Sequence, residues 1–246
     1  MKTRRCLVVI PTYNEHENLE PLVRQILDHE GCRVMVVDDQ SPDGTGELGD
    51  ALAREFPDRV DVVHRTGKRG LGRSYVDGFR LALERDTDLI CQMDADFSHD
   101  PKYLPDLIAA TGQYDLVIGS RYLRGVSVVN WPLRRVILSA FANWYVRSIT
   151  RLAVRDCTAG YRAWRRDALA AIPIDGMLSG GYAFAVELTF EAARRGHRIG
   201  EVPIVFVERR EGVSKMSTRV LTESMLMPWR LIWRGLWRPR SGGAGS

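Results

Sequence analysis

Leu89-Ile90-Cys91-Gln92-Met93-Asp94-Ala95-Asp96 is a short apolar run that ends on two carboxylates. Its length and bounding residues read as a strand, Leu89–Met93, buried on both faces, with the acids at its carboxyl end. Working outward, similar runs occur at Cys6–Ile10, Val34–Val37 and Val60–Val63 on one side and at Leu116–Ile118 on the other. Helix-like segments separate them, at Asn18–His29, Gly46–Phe56, Gly72–Glu84 and Pro101–Thr111. Strand–helix alternation of this kind predicts an α/β fold with a doubly wound, mainly parallel sheet covered by helices on both faces. Ligands of such sheets bind at the carboxyl ends of strands, near a reversal of strand order. The polar motifs of this chain stand at those ends.

The second half is less regular. A helix is expected over Pro132–Val154, another over Ala183–Arg195, a strand over Ile199–Val207 and a last helix over Thr218–Trp237. The chain has 246 residues, 45% of them hydrophobic, which suffices for one covered core. No repeat or linker interrupts it, so residues 1–238 read as a single domain ending in an amphipathic helix, with 239–246 a disordered tail. The net charge of +4 does not single out nucleic acid and fits an anionic ligand or membrane surface as well. Basic residues do not alternate with aromatics on one expected sheet, so no nucleic-acid partner is expected. Cys6, Cys32, Cys91 and Cys157 form no CxxC pair and read as reduced core cysteines of a cytoplasmic protein. Met1 to Arg5 lead directly into a strand whose apolar run is too short for a signal peptide, and no stretch of roughly 18 apolar residues could span a bilayer.

Several segments carry chemistry. Asp94-Ala95-Asp96 can converge on one divalent cation through hard oxygen ligands, Mg²⁺ or Mn²⁺, or be a solvated acidic turn. In Asp38-Asp39-Gln40-Ser41-Pro42-Asp43-Gly44-Thr45, Asp38 or Asp39 can accept hydrogen bonds from a ribose or base, while Ser41 to Thr45 is turn chemistry. Pro11-Thr12-Tyr13-Asn14-Glu15 offers an aromatic for a base and a carboxylate for its edge, or simply a helix start. Lys68-Arg69-Gly70-Leu71-Gly72 can cradle phosphate before a helix, without the spacing of a P-loop. No GxGxxG follows the first strand, against a dinucleotide-dependent dehydrogenase.

Together these segments resemble the dolichyl- or polyprenyl-phosphate mannose synthases of glycosyltransferase family 2. The matching blocks run in order: PTYNE at Pro11–Glu15, DDQSPDGT at Asp38–Thr45, GLG at Gly70–Gly72, MDADFSHDP at Met93–Pro101, GSRY at Gly119–Tyr122, EVPIVF at Glu201–Phe206 and RREGVSK at Arg209–Lys215. The resemblance implies a GT-A type fold and an inverting transfer of mannose from GDP-mannose to dolichyl or polyprenyl phosphate, with Mg²⁺ or Mn²⁺. It implies nucleoside contacts at Pro11, Tyr13, Glu15, Val37 and Asp39. Asp94, Asp96 and Ser98 are the implied metal site, with the Ala95 backbone beside it. Arg121, Arg209 and Lys215 are similar to the family's phosphate-binding cations. Trp131, Arg135 and Ser139 match a WxxxRxxxS spacing in which the Arg and Ser approach the acceptor phosphate. Asp96, Arg121 and Arg135 are thus the expected catalytic residues. The chain departs from the family pattern at Arg124-Gly125-Val126, at Thr158 to Arg162 and at Ala185, where the family often has Gln. A family 2 transferase with UDP-glucose or another donor or acceptor, and a non-catalytic nucleotide-sugar binder, are the competing expectations. A cytoplasmic location, peripheral at the membrane surface or on a small membrane subunit, follows from a lipid acceptor and the Trp- and Arg-bearing segment Met227–Arg238. Packing of that segment on the core, with a basic outer face, is the other reading.

Overall fold

The computed structural model describes residues 4–177, 181–207 and 225–233. The chain runs β1 (Cys6–Thr12), α1 (His16–Leu27), β2 (Cys32–Asp38), α2 (Thr45–Glu55), β3 (Val60–His64), α3 (Leu71–Leu83) and β4 (Leu89–Gln92). A 3₁₀ turn at Pro101–Tyr103 continues into α4 (Leu104–Ala110), then β5 (Leu116–Ser120), β6 (Val128–Val129) and α5 (Leu133–Thr150). The remainder comprises β7 (Arg162–Arg165), α6 (Arg166–Ala170), α7 (Gly181–Arg194), β8 (Ile199–Pro203), β9 (Phe206–Val207) and a helical segment at 225–233.

Seven strands form one sheet in the order β3-β2-β1-β4-β7-β5-β8, with β6 and β9 as a separate parallel pair. β1, β2, β3 and β4 are mutually parallel, and β5 is parallel to β8. β7 alone runs antiparallel, between β4 and β5. Every residue of β1 is buried. Leu7 and Val9 enter one core cluster with Tyr75, Phe79 and Phe184, while Cys6, Val8 and Ile10 enter the other with Leu19, Leu22 and Ile26. Period-2 alternation therefore sends neighbouring side chains under different helices, which is why the strands read as continuous apolar runs. α3 approaches β1 and β2 closely through Gly78, where a Cβ would lie 2.6 Å from Val9 Cγ1 and 3.0 Å from Val37 Cγ2.

Three expectations are corrected. The strand expected over Ile199–Val207 is two strands, β8 and β9, in different sheets. Pro203 lacks an N–H and ends β8, and the chain turns away at Ile204 and Val205. The helix expected to Val154 ends at Thr150, where Arg151 takes a left-handed conformation (φ 57°). β7 was not expected at all. Of the helix expected over Thr218–Trp237, residues 225–233 are helical and the rest lie outside the described residues, as does the tail. All four cysteines are buried and free, as the core reading requires.

Candidate active site

The strand order reverses beside β1: β2 continues the sheet on one side and β4 on the other. The segments leaving β1 and β4 diverge there, and a cavity of about 400 Å³ opens between them. Pro11, Tyr13 and Glu15 line it from the end of β1, and Asp39 from the end of β2. Asp94, Ala95, Asp96 and Ser98 line it from beyond β4. Arg121 and Arg135 close the far wall, with Thr158, Ala159 and Gly160.

Asp94 is held from two sides. The Tyr75 hydroxyl donates to its Oδ1 at 2.9 Å, and its own N–H donates to His99 Nδ1 at 3.0 Å. Gly160 leaves the space: a Cβ there would lie 3.1 Å from His99 Cε1 and 3.4 Å from Asp94 Oδ2. Burial, then the Asp94 charge, raises the Tyr75 pKa well above the usual phenol value, so the hydroxyl remains a donor. Burial pushes the His99 pKa down, against the pull of Asp94 and Asp96. With Nδ1 accepting from a backbone N–H, His99 fixes the acidic loop as a neutral imidazole. Asp96 Oδ1 accepts from the Ser98 N–H at 3.1 Å, closing a tight turn in which Phe97 has φ 59°. Asp94 and Asp96 keep oxygens facing the cavity. Among the described residues no group of three or more His, Cys, Asp or Glu side chains is placed to hold a metal ion by itself. Two carboxylates fit a hard cation such as Mg²⁺ or Mn²⁺ whose remaining ligands are phosphate oxygens and water.

The paired acids at the end of β2 divide their work. Asp38 Oδ1 accepts from Thr12 Oγ1 at 3.2 Å and Asp38 Oδ2 from the Ser41 N–H at 3.1 Å, so Asp38 builds the turn. Asp39 faces the cavity, but it is ion-paired to buried Arg65, and its Oδ2 accepts from the Gly70 N–H at 2.8 Å. Arg65 also donates to Asp77 Oδ2 at 2.8 Å and to the Lys68 carbonyl at 3.2 Å, pinning the loop at 65–70. From that loop Arg69 lies over the Tyr13 ring at 4.8 Å and donates to its hydroxyl at 3.0 Å. One face of Tyr13 is therefore already occupied by a cation. Val37 departs from expectation: its side chain is fully buried against Gly78 and does not line the cavity.

Arg121, expected among the phosphate-binding cations, is ion-paired to Asp156. Its Nε and Nη2 donate to Asp156 Oδ2 and Oδ1, each at 2.7 Å, and Nη2 also to Thr158 Oγ1 at 2.7 Å. Burial would raise the Asp156 pKa, but Arg121 overcomes this and holds the carboxyl below the usual range. Trp131, Tyr122 and Phe206 surround the guanidinium with centroids at 5.5, 5.6 and 5.5 Å. Arg135 sits over the Trp131 ring at 4.2 Å. Ser139, one helical turn further along α5, accepts from the Tyr122 hydroxyl at 2.8 Å and lies off the cavity. Arg209 and Lys215 lie outside the described residues.

Sequence reasoning missed Arg65, Tyr75 and Asp156. Arg65 directly follows a strand end, the one signal available for it. Tyr75 looks like an ordinary helix-face aromatic until α3 is docked on the sheet. Asp156 precedes a strand that was itself not expected.

A family model, Glycosyl transferase family 2, matches residues 7–172. Polyprenol monophosphomannose synthase of Mycolicibacterium smegmatis is 49% identical over 227 residues, covering 91% of this chain and 85% of the relative. Undecaprenyl-phosphate mannosyltransferase of Micrococcus luteus is 49% identical over 243 residues, covering 97% of this chain and 99% of the relative. The crystal structure of glucosyl-3-phosphoglycerate synthase from Mycobacterium tuberculosis with Mn²⁺, UDP and phosphoglyceric acid superposes with a TM-score of 0.68 at 19% identity, covering 97% of this chain and 81% of that one. The same enzyme with Mg²⁺ and UDP gives 0.65 at 19% identity, covering 97% of this chain and 82% of that one. These structures share the GT-A type fold. The seven-stranded, mostly parallel sheet, the family match over more than half the chain and the two near-full-length relatives agree: this chain belongs to glycosyltransferase family 2.

Proposed function

We propose that this protein is an inverting mannosyltransferase that moves mannose from GDP-mannose to a polyprenyl or dolichyl phosphate at a membrane surface. The observation that carries the reading is the 49% identity, along nearly the whole chain, to two relatives whose names both specify mannose and a polyprenyl-type phosphate. The cavity supports it chemically. Its lining combines the carboxylates Asp94 and Asp96 with Tyr13 and Asp39, suited to a nucleoside, and with the cations Arg121 and Arg135.

A phosphate monoester has a second pKa of about 6, so the acceptor oxygen is already ionised near neutral pH. It attacks the anomeric carbon as the bond to the nucleoside diphosphate breaks, and no protein base has to remove a proton. That suits a site whose histidine, His99, is buried, neutral and committed to the Asp94 N–H. The difficulty is bringing one anion against another. Mg²⁺ or Mn²⁺ held by Asp94 and Asp96, with Ser98 beside them, would neutralise charge on the leaving diphosphate. Arg135, with its ring partner Trp131, would draw in the acceptor phosphate. Arg121, neutralised by Asp156, would orient phosphate oxygens through directed N–H groups more than through net charge. Ser139 would assist only if α5 or Tyr122 shifts, and Arg209 and Lys215 keep the phosphate role implied for them by the resemblance.

The lipid acceptor also needs an approach. Among the described residues no helix is long and apolar enough to cross a membrane. α5 buries only Asn143 and Val146, and exposes Leu133, Ile137, Phe141 and Trp144; the segment 225–233 exposes Trp229 and Trp233. Tyr145 donates to the Met225 carbonyl at 2.9 Å and accepts from Trp229 Nε1 at 3.1 Å, so the two helices present one apolar face. In this reading that face rests on the bilayer interface, or on a small membrane subunit, beside Arg135.

The test is transfer of radiolabelled mannose from GDP-mannose to a short polyprenyl phosphate, with Mg²⁺ or Mn²⁺ and with EDTA, against a parallel UDP-glucose reaction. Label in the lipid phase that EDTA abolishes is the expected result. Transfer of glucose alone would replace the donor, and no transfer of either with a membrane extract added would reject the reading.

A further inference from the structure

The floor of the cavity holds a polar group that none of these contacts uses. Gln92 is the last residue of β4, two before Asp94; it is 1% exposed and lines the cavity. Its amide oxygen, Oε1, has no hydrogen-bond partner among the described residues. A buried acceptor without a donor is destabilising, and a methionine would fill the same volume without that penalty. Strand alternation puts Gln92 on the Ile90 face of the sheet, the face covered by α3 and α7. The cavity walls there are Ser74, Tyr75, Phe184 and Ala185. The Tyr75 hydroxyl is committed to Asp94, Ser74 donates to the Gly70 carbonyl, and Phe184 and Ala185 have no polar side-chain atom. Among the described residues these walls leave Oε1 no donor, and an occupant of the cavity can supply one.

Two residues of extended chain span roughly 7 Å, about one hexose ring, between the Cα atoms of Gln92 and Asp94. With a diphosphate at Asp94 and Asp96 and the nucleoside toward Tyr13, the sugar beyond the diphosphate is the nearest source of hydroxyl donors. We propose that Gln92 accepts a hydrogen bond from a hydroxyl of the transferred hexose and so helps select the sugar. This rests on the nucleotide-sugar reading of the cavity, but not on the sugar being mannose. One competing partner is present. Arg162, the register partner of Gln92 on β7, is fully buried and has an Nη1 without a hydrogen-bond partner among the described residues. If the amide instead serves Arg162, its role is structural, and stability will show it.

The experiment compares wild type with Gln92→Met. Affinity is measured for GDP and GDP-mannose, and for UDP and UDP-glucose, together with the thermal midpoint. We expect the variant to bind the bare diphosphate within about twofold of wild type, and to lose about tenfold for the preferred nucleotide sugar, one neutral hydrogen bond's worth. Its midpoint should be unchanged or higher. Among single-deoxy donors, one should bind wild type about tenfold more weakly yet be no worse with the variant. Equal losses for diphosphate and nucleotide sugar, no loss at all, or a lowered midpoint with sugar discrimination intact would each overturn the proposal, as would a wild type that gains nothing from the sugar. If UDP-glucose is preferred, the mannosyl reading falls and the Gln92 comparison is made on that donor.

Discussion

Asp94 meets the cavity with Oδ1 already bonded to Tyr75, so the direction of its second oxygen is set by a ring wedged against Phe184 (6.1 Å, 8° between planes) and Phe79 (5.7 Å). Outer partners of metal-binding carboxylates commonly carry 10–100-fold in affinity, so Tyr75→Phe is expected to weaken Mn²⁺ binding in the presence of GDP by about tenfold, read by electron paramagnetic resonance, with the fold intact. Asp96→Ala should reduce transfer by at least a hundredfold, and near-normal turnover would remove Asp96 from the site. Arg135→Ala should raise the acceptor KM or lower kcat while leaving GDP affinity unchanged. Asp156→Asn removes one partner of a buried pair and is expected to destabilise the protein by about 3–5 kcal/mol in urea denaturation. The sign of the pH effect follows from the depressed Asp156 pKa. Its contribution is present above the unfolded value of about 3.9 and is lost as pH falls through the lower folded value, so Asp156→Asn should flatten the acid limb of the stability curve below about pH 4.

Among the elements, α3 is the one whose seating the site depends on, since it carries Tyr75 and is fixed by Gly78 against Val9 and Val37. These are β-branched and fully buried, so neither can swing aside. Gly78→Ala should destabilise by about 1–3 kcal/mol, measured by thermal or urea unfolding, and weaken metal binding through Tyr75. β1, β2, β4 and β5 were readable because each is a buried, largely apolar run, and β3 through its valines Val60, Val62 and Val63. β7 was not, because Arg162-Ala163-Trp164-Arg165 begins and ends on arginines. The buried Arg162 folds back onto the Ala159 and Cys157 carbonyls at 2.8 and 3.1 Å, an arrangement with no sequence periodicity. Likewise the acidic strand ends were legible as site candidates, whereas the sharing of work between Asp38 and Asp39 depends on where Arg65 and Ser41 fall in three dimensions. Val37 was carried into the site by resemblance, against the alternation that buries its side chain.

At the scale of the whole molecule, the proposed bilayer contact combines an apolar face with a basic chain of sequence pI about 9.0. Sedimentation with anionic vesicles should therefore weaken with added salt without vanishing. Trp233→Ser and Trp144→Ser should each lower vesicle binding about tenfold, the equivalent of roughly 1.5 kcal/mol of apolar burial, while leaving transfer to a water-soluble short-chain acceptor intact. Unchanged binding in both variants would direct attention to a protein partner. The reversed strand β7 has a consequence for how the chain is made. β5 is finished about forty residues, and β4 about seventy, before the strand that separates them in the sheet. Until residue 165 has left the ribosome each keeps an open edge, and Arg121 waits for Asp156. A nascent chain stalled short of that point should be sticky and protease-sensitive, and the shortest N-terminal fragment able to close the sheet between β4 and β5 should end beyond Arg165.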